Sequence, residues 1–329
     1  MAYLFASEGY SVISVSKSPN RYFRLLDIVW SLLRSGRKDS VQCLQIYSGP
    51  SFIVEDIASL VGTILGQRII MHFHGGNLPA FIVRFPRWTR RVFNRADALV
   101  APSAYLARTL RQHGYPCAVI PNIIELPYYP FRHRSRLQPR LLWMRAFHPQ
   151  VYNPAMAVRV FARIKKLVPE AMLVMAGQYD PAQCEVQRLA AELGVKDSVR
   201  FAGFLDMPGK LREAQQADIF INTNHIDNMP VGVVEAFAMG LPVVATNVGG
   251  IADLITDGEN GLLVPVDADQ AMADAILRLL RDPLLAAKLS QNGRRFAEAC
   301  TWDVVRPQFE QLFSKVTGAP VTVTTEGRA

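Results

Sequence analysis

No apolar run among the 329 residues reaches the roughly 18 to 20 that a membrane span needs. The first residues also lack the basic stretch and cleavage site of a secretory signal, so a cytoplasmic protein is expected. Cys43, Cys117, Cys184 and Cys300 stand far apart with no C-x-x-C pair. That argues against a zinc site and a disulfide framework and fits a reducing compartment. No cluster of His and Cys has ligand spacing, so neither a metal nor a cofactor is expected. Missing too is the opening of a doubly wound domain, a strand and Gly-rich turn leading into a helix. Met1 to Gly9 instead reads as the end of a helix, and a strand-like run, Ser11 to Ser16, follows at once. A first strand and its loop are therefore expected to be absent from this chain.

What is present is a chain long enough for two domains, each with its own core. Residues 1 to 130 hold 14 Lys and Arg against 7 Asp and Glu, so nearly all of the formal charge of +8 lies in the first part. Such a surface draws anionic partners. The basic residues belong to no nucleic-acid reading module, so nucleic acid is not the expected one.

The most informative stretch runs from Asp227 to Gly250, DNMPVGVVEAFAMGLPVVATNVGG. Pro230 suits a helix start and Gly240 the left-handed residue after its last turn, which predicts a helix over Pro230 to Met239 and a buried strand over Pro242 to Ala245. Glu235 is the one charge in that helix. A helix apolar on nearly all sides is packed on nearly all sides, so this carboxylate must face a cleft or find a partner. The helix N-terminus, with Val231 and Gly232 in its first turn, is a ready anion site, and Asp227 lies just outside it.

Elsewhere strands and helices alternate. Helices are expected at Tyr22 to Arg34, Phe52 to Leu65, Pro79 to Asn94 and Ser103 to His113, between strands starting at Val41, Arg68, Ala98 and Ala118. After an irregular Pro-rich stretch, Pro121 to Pro139, a second alternation begins with strand Arg140 to Met144 and ends with helices Asp269 to Leu280 and Leu284 to Ala299. Helix-spaced strands imply crossover connections and parallel sheets. The expected fold is therefore α/β, two Rossmann-like doubly wound domains facing across a cleft: 1–130, 131–317 and a loose tail at 318–329. Ligand sites in such sheets lie at the carboxyl ends of strands. There the two-residue period puts His72 and His74 on one face, with Gly75 and Gly76 next in the chain, while Arg145 follows the first strand of the second half.

With MHFHGG, RADALVAPSAYL (Arg95 to Leu106), IPNI and the long Asp227 to Val264 segment, the chain resembles the retaining glycosyltransferases of family 4, whose fold is GT-B. The resemblance implies roles position by position. Glu235 matches the acid that binds the nucleotide's ribose. Asp227 matches the one that handles the donor sugar's hydroxyls, and Arg145 the arginine that holds the diphosphate. His74 matches the active-site histidine. The turn at Val248, Gly249 and Gly250 lines the same cleft. Four departures stand out: Asp227 is one methylene shorter than the usual Glu, Pro230 replaces a glycine, Gln150 stands where the family has a lysine, and the amino-terminal Gly-rich loop is absent.

The implied activity is metal-independent transfer of a sugar from a nucleotide diphosphate sugar to an acceptor hydroxyl with retention, in polysaccharide or glycolipid synthesis. The expected partners are the donor and a saccharide or lipid-linked acceptor. Phe81 to Phe93, which mixes Arg84, Arg87, Arg90 and Arg91 with Phe85, Trp88 and Phe93, suits peripheral contact with an anionic membrane face. The alternatives are a sugar-nucleotide epimerase of the same shape and a catalytically impaired nucleotide-sugar-binding protein.

Overall fold

A computed structural model describes residues 1–15, 20–36 and 40–319. The chain divides into two compact units, Met1–Ile123 joined by the chain from Trp302 on, and Ile124–Thr301.

In the first unit a parallel sheet runs in the order β1 (Val41–Ile46), β2 (Arg68–Phe73), β3 (Ala98–Ala101), β4 (Ala118–Val119). Its helices are α1 (Ala2–Ser7), α2 (Arg21–Ser35), α3 (Phe52–Ile64), α4 (Leu78–Arg84), α5 (Pro86–Phe93) and α6 (Ala104–Gln112). The single helix expected over Pro79 to Asn94 is two. Pro86 brings no N–H and disfavours helical geometry in the residue before it, and Phe85 duly sits at φ −130°, ψ 56°. The strand expected at Ser11 to Ser16 is not formed over its described part, Ser11 to Val15, where four of five residues are exposed and no strand among the described residues pairs with it. Residue 16 and the tail from 320 lie outside the described residues.

The second unit carries six parallel strands in the order β10-β9-β8-β5-β6-β7: β5 (Arg140–Met144), β6 (Met172–Ala176), β7 (Val199–Gly203), β8 (Ile219–Asn222), β9 (Val243–Thr246) and β10 (Leu262–Val264). They alternate with α7 (Pro149–Tyr152), α8 (Pro154–Leu167), α9 (Ala182–Glu192), α10 (Met207–Gln216), α11 (Val231–Ala238), α12 (Ile251–Leu254), α13 (Asp269–Arg281) and α14 (Pro283–Glu298). Both faces of this sheet are covered, so its strands are apolar almost without interruption. Leu141, Trp143 and Ile221 pack on one side, and Leu142, Phe220 and Val243 on the other. The strand order reverses at β5, with β6 and β7 to one side and β8 to β10 to the other, which makes the carboxyl ends of β5 and β8 the place where a ligand fits.

Two glycines set the frame around α11. Gly240 takes φ +73°, and a Cβ there would run into the Arg132 carbonyl. Gly293 lies against the Phe237 ring, letting α14 approach α11 closely.

The last helix, α15 (Trp302–Thr317), returns to the first unit. The sequence reading placed these residues in the second domain. Instead Val305, Phe309 and Phe313 bury themselves against Phe5, Ile70, Val100 and Ile120, Trp302 Nε1 donates to Glu8 at 3.0 Å, and Arg306 pairs with Glu8 at 2.7 Å. Among the described residues no helix is long and apolar enough to cross a membrane.

Candidate active site

At the switch point of the second sheet, Arg145 leaves the end of β5 with its N–H bonded to the Ala176 carbonyl at 3.0 Å. Gly177 makes this possible, since a Cβ there would occupy the position of the Arg145 carbonyl. The guanidinium lies over the Tyr152 ring, 4.5 Å from its centroid, and forms an ion pair with Asp227. The Asp227 carboxylate also accepts the Asn228 N–H on Oδ1 at 2.8 Å and Asn224 Nδ2 on Oδ2 at 2.6 Å. Its own carbonyl receives the Gly250 N–H at 3.2 Å, which brings the Gly249–Gly250 turn alongside; Gly249 supplies the left-handed φ of +51° there.

One more contact braces these loops. Asn153, itself left-handed at φ 45°, caps α8 and places Nδ2 2.9 Å from His225 Nε2 and 2.7 Å from Asp267 Oδ1. Asp267 and Asp269, two acids one residue apart, are both engaged within the protein, the latter by Arg159 Nε at 2.6 Å.

The helix at the centre of the sequence reading is α11. Pro230, the expected first residue of this helix, is instead its cap, at φ −65° and ψ 111°, and the helix begins one residue later at Val231. Gly232 in the first turn sits by β5, where an added Cβ would lie 3.8 Å from the Met144 carbonyl, while Val231 is half-exposed. One turn on, Glu235 is buried, and it meets its partners: Lys210 Nζ from α10 at 3.0 and 3.2 Å, and the Tyr129 hydroxyl, which donates at 2.9 Å. Burial and the adjoining Glu235 push the Tyr129 hydroxyl well above its ordinary pKa, keeping it a donor.

His74 belongs to the first unit. Its N–H bonds the Ile46 carbonyl at 2.8 Å, its Nε2 pairs with Gln45, and its ring stacks on Tyr47 at 5.3 Å. Gly75 follows at φ +78°. As the strand period implied, His72 shares the face, with ring centroids 4.5 Å apart. Neither His72 ring nitrogen has a hydrogen-bond partner among the described residues. Burial, with His74 adding to it, pulls His72 down to about 3, and burial lowers His74 too, so both favour the neutral imidazole.

The structure thus joins Arg145, Asp227, Gly249 and Gly250 in one contact set and places Val231 and Gly232 beside β5. Glu235 stands in a second set with residues that sequence reasoning missed, Lys210 and Tyr129. Asn224 and Tyr152 were missed as well. A solvent-side lysine early in α10 and a tyrosine in an irregular stretch carry no periodic signal.

Two units with parallel sheets, the second carrying an arginine, two acids and a glycine turn around its switch point, define a doubly wound architecture of two Rossmann-like domains. The family model of glycosyl transferases group 1 matches residues 131–296, and that of glycosyltransferase family 4 matches residues 5–128. The chain belongs to the group 1, family 4 type of glycosyltransferase, and its fold is GT-B. It is 27% identical over 221 residues to the phosphatidyl-myo-inositol mannosyltransferase of Mycobacterium tuberculosis, a stretch covering 64% of this chain and 57% of that protein. Among solved structures it is similar to the sucrose-phosphate synthase of Thermosynechococcus elongatus (TM-score 0.74, 20% identity, 93% of this chain and 83% of that one). It is also similar to Anabaena Alr3699/HepE in complex with UDP (TM-score 0.73, 17% identity, 95% and 88%). Matches to the first curated relatives span only 38% to 57% of their length.

Proposed function

We propose that the chain transfers a glycosyl group from a nucleoside diphosphate sugar to an acceptor hydroxyl with retention at the anomeric carbon. The observation that carries this reading is the Arg145–Asp227 set at the reversal point of the second sheet, beside the first turn of α11. Arg145 and the free amides of α11 hold the diphosphate, Asp227 accepts from hydroxyls of the donor sugar, and Glu235 accepts from the ribose. The bond from the anomeric carbon to the diphosphate oxygen breaks as the acceptor oxygen bonds to the same face. The acceptor's proton passes to the departing phosphate oxygen. Negative charge grows on the leaving group, and Arg145 and the helix N-terminus are aimed at it. This reading gives a metal no role. His74, kept neutral by burial just past the end of β2, is the first unit's candidate for the sugar-handling histidine.

The acceptor in this reading is a saccharide on a lipid carrier at an anionic membrane surface. Arg84, Arg87 and Arg90 are exposed, as is Val83 at 70%. The aromatics contribute less than their spacing suggested, because Phe93 is buried and Trp88 packs on Phe52 and donates to Asp56 at 2.7 Å. The contact would therefore be mainly electrostatic.

A melting-temperature screen against UDP, GDP, ADP, dTDP and their sugar conjugates tests the donor reading. A ligand at about 100 times its dissociation constant adds roughly 2.7 kcal/mol. With the donor in hand, Arg145→Ala should lower kcat by about a hundredfold, on the order seen when one stabilising donor is lost. Glu235→Gln should chiefly raise KM. Full turnover in both variants would refute these assignments.

A further inference from the structure

Resting on that donor reading, we propose that Asp227 is an internal competitor for the donor's diphosphate: Arg145, paired with Asp227, passes to the phosphates when donor binds, and on returning to Asp227 drives the product nucleoside diphosphate out.

Three features support the exchange. The pair is shielded, with side-chain exposures of 19% for Arg145 and 13% for Asp227, so an approaching diphosphate competes with a carboxylate whose field is little screened. Asp227 can also release the guanidinium without being stranded. Asn224 Nδ2 and the Asn228 N–H remain on its two oxygens at 2.6 and 2.8 Å, so no buried acid is left without a partner. Arg145 for its part stays oriented by the Tyr152 ring, and its buried Nε has no partner among the described residues, leaving donor capacity for a second anion.

The exchange also separates substrate from product. When Arg145 departs, an acceptor site on Oδ2 opens, and a donor sugar hydroxyl can fill it. A bare nucleoside diphosphate has no such hydroxyl, and it meets the like charge of Asp227 with no compensation. Asp227 therefore favours the sugar-bearing ligand and disfavours the spent one.

The test is calorimetric titration of the full chain and of Asp227→Asn at low ionic strength with UDP, GDP, ADP and dTDP, and with the matching nucleosides. The variant should bind the preferred diphosphate at least threefold more tightly, bind its nucleoside within twofold of the parent, turn over more slowly and be inhibited more strongly by the diphosphate. Asp227→Ser, which removes the charge with a smaller side chain, should shift diphosphate affinity the same way. Weaker or unchanged diphosphate affinity in both variants overturns the proposal, as does an equal gain for the nucleoside, which would signal a loosened pocket. No binding of any diphosphate by parent or variant overturns the donor reading and this inference together. Tight binding by the parent with no gain in the variants overturns this inference alone.

Discussion

Replacing Lys210 by Met should destabilise the second unit through Glu235, and the size of the effect can be worked from the contacts. Glu235 has a side chain only 6% exposed and takes both bonds from Lys210. Removing one partner of a buried ion pair costs about 3–5 kcal/mol because the other charge is left uncompensated. Here Lys210 is itself 33% exposed and Tyr129 still donates to Oε1, so water and the hydroxyl recover part of that loss. A cost of about 2 kcal/mol remains. For a unit of this size that lowers its melting temperature by about 4–8 °C. A double-mutant cycle isolates the cause. In the Glu235→Gln background no charge is stranded, so Lys210→Met should cost less than about 0.5 kcal/mol, leaving a coupling of about 1.5 kcal/mol. Urea unfolding followed at Trp143, the sole tryptophan of residues 124–301, reads this directly if Trp30, Trp88 and Trp302 are Phe in all four proteins. Equal costs for Lys210→Met in both backgrounds would refute the pairing.

Two further predictions concern the first unit. Burial lifts the Glu55 carboxyl from 4.5 to about 7, against the pull of the Glu55 and Tyr47 backbone amides, so the native state keeps a proton that the unfolded chain has already released. Its stabilising contribution is full below about pH 4.5 and is lost as pH rises to about 7, by up to about 3 kcal/mol. Urea unfolding at pH 5 and pH 7.5 should therefore show a decline that Glu55→Gln lacks; parallel behaviour of the two proteins would refute it. For the membrane reading, sedimentation with phosphatidylglycerol vesicles at low salt should be strong for the parent and largely lost in Arg84→Gln/Arg87→Gln/Arg90→Gln, at about 1 kcal/mol per charge near the surface. Failure of the parent to sediment would remove the membrane contact.

The parts of this chain that its sequence disclosed are those governed by local chemistry. Strands β5 and β9 are buried on both faces over most of their length and so read as largely apolar runs, and Gly240 marked the end of α11 because its left-handed φ suits few other residues. Arg145, Asp227 and Glu235 stood out in the sequence as candidates because each sits at a strand end or on a helix whose remaining face must pack. The hidden parts depend on what meets across space. The partners of Arg145 and Glu235 lie 82, 25 and 106 residues away in the chain. Periodicity tells which face a side chain occupies and not what stands opposite, so Lys210 looked like any other helix lysine. The placement of α15 was hidden for the same reason: its apolar residues would suit either unit, and only the aromatic cluster around Phe5 decides between them. The two pairings change what the acids mean. Read from the sequence, Asp227 and Glu235 are carboxylates waiting for hydroxyls. In the folded chain each already holds a cation, so a ligand that uses either acid must share or replace a bond the protein makes to itself. The affinity of this site is therefore set by the difference between two sets of contacts.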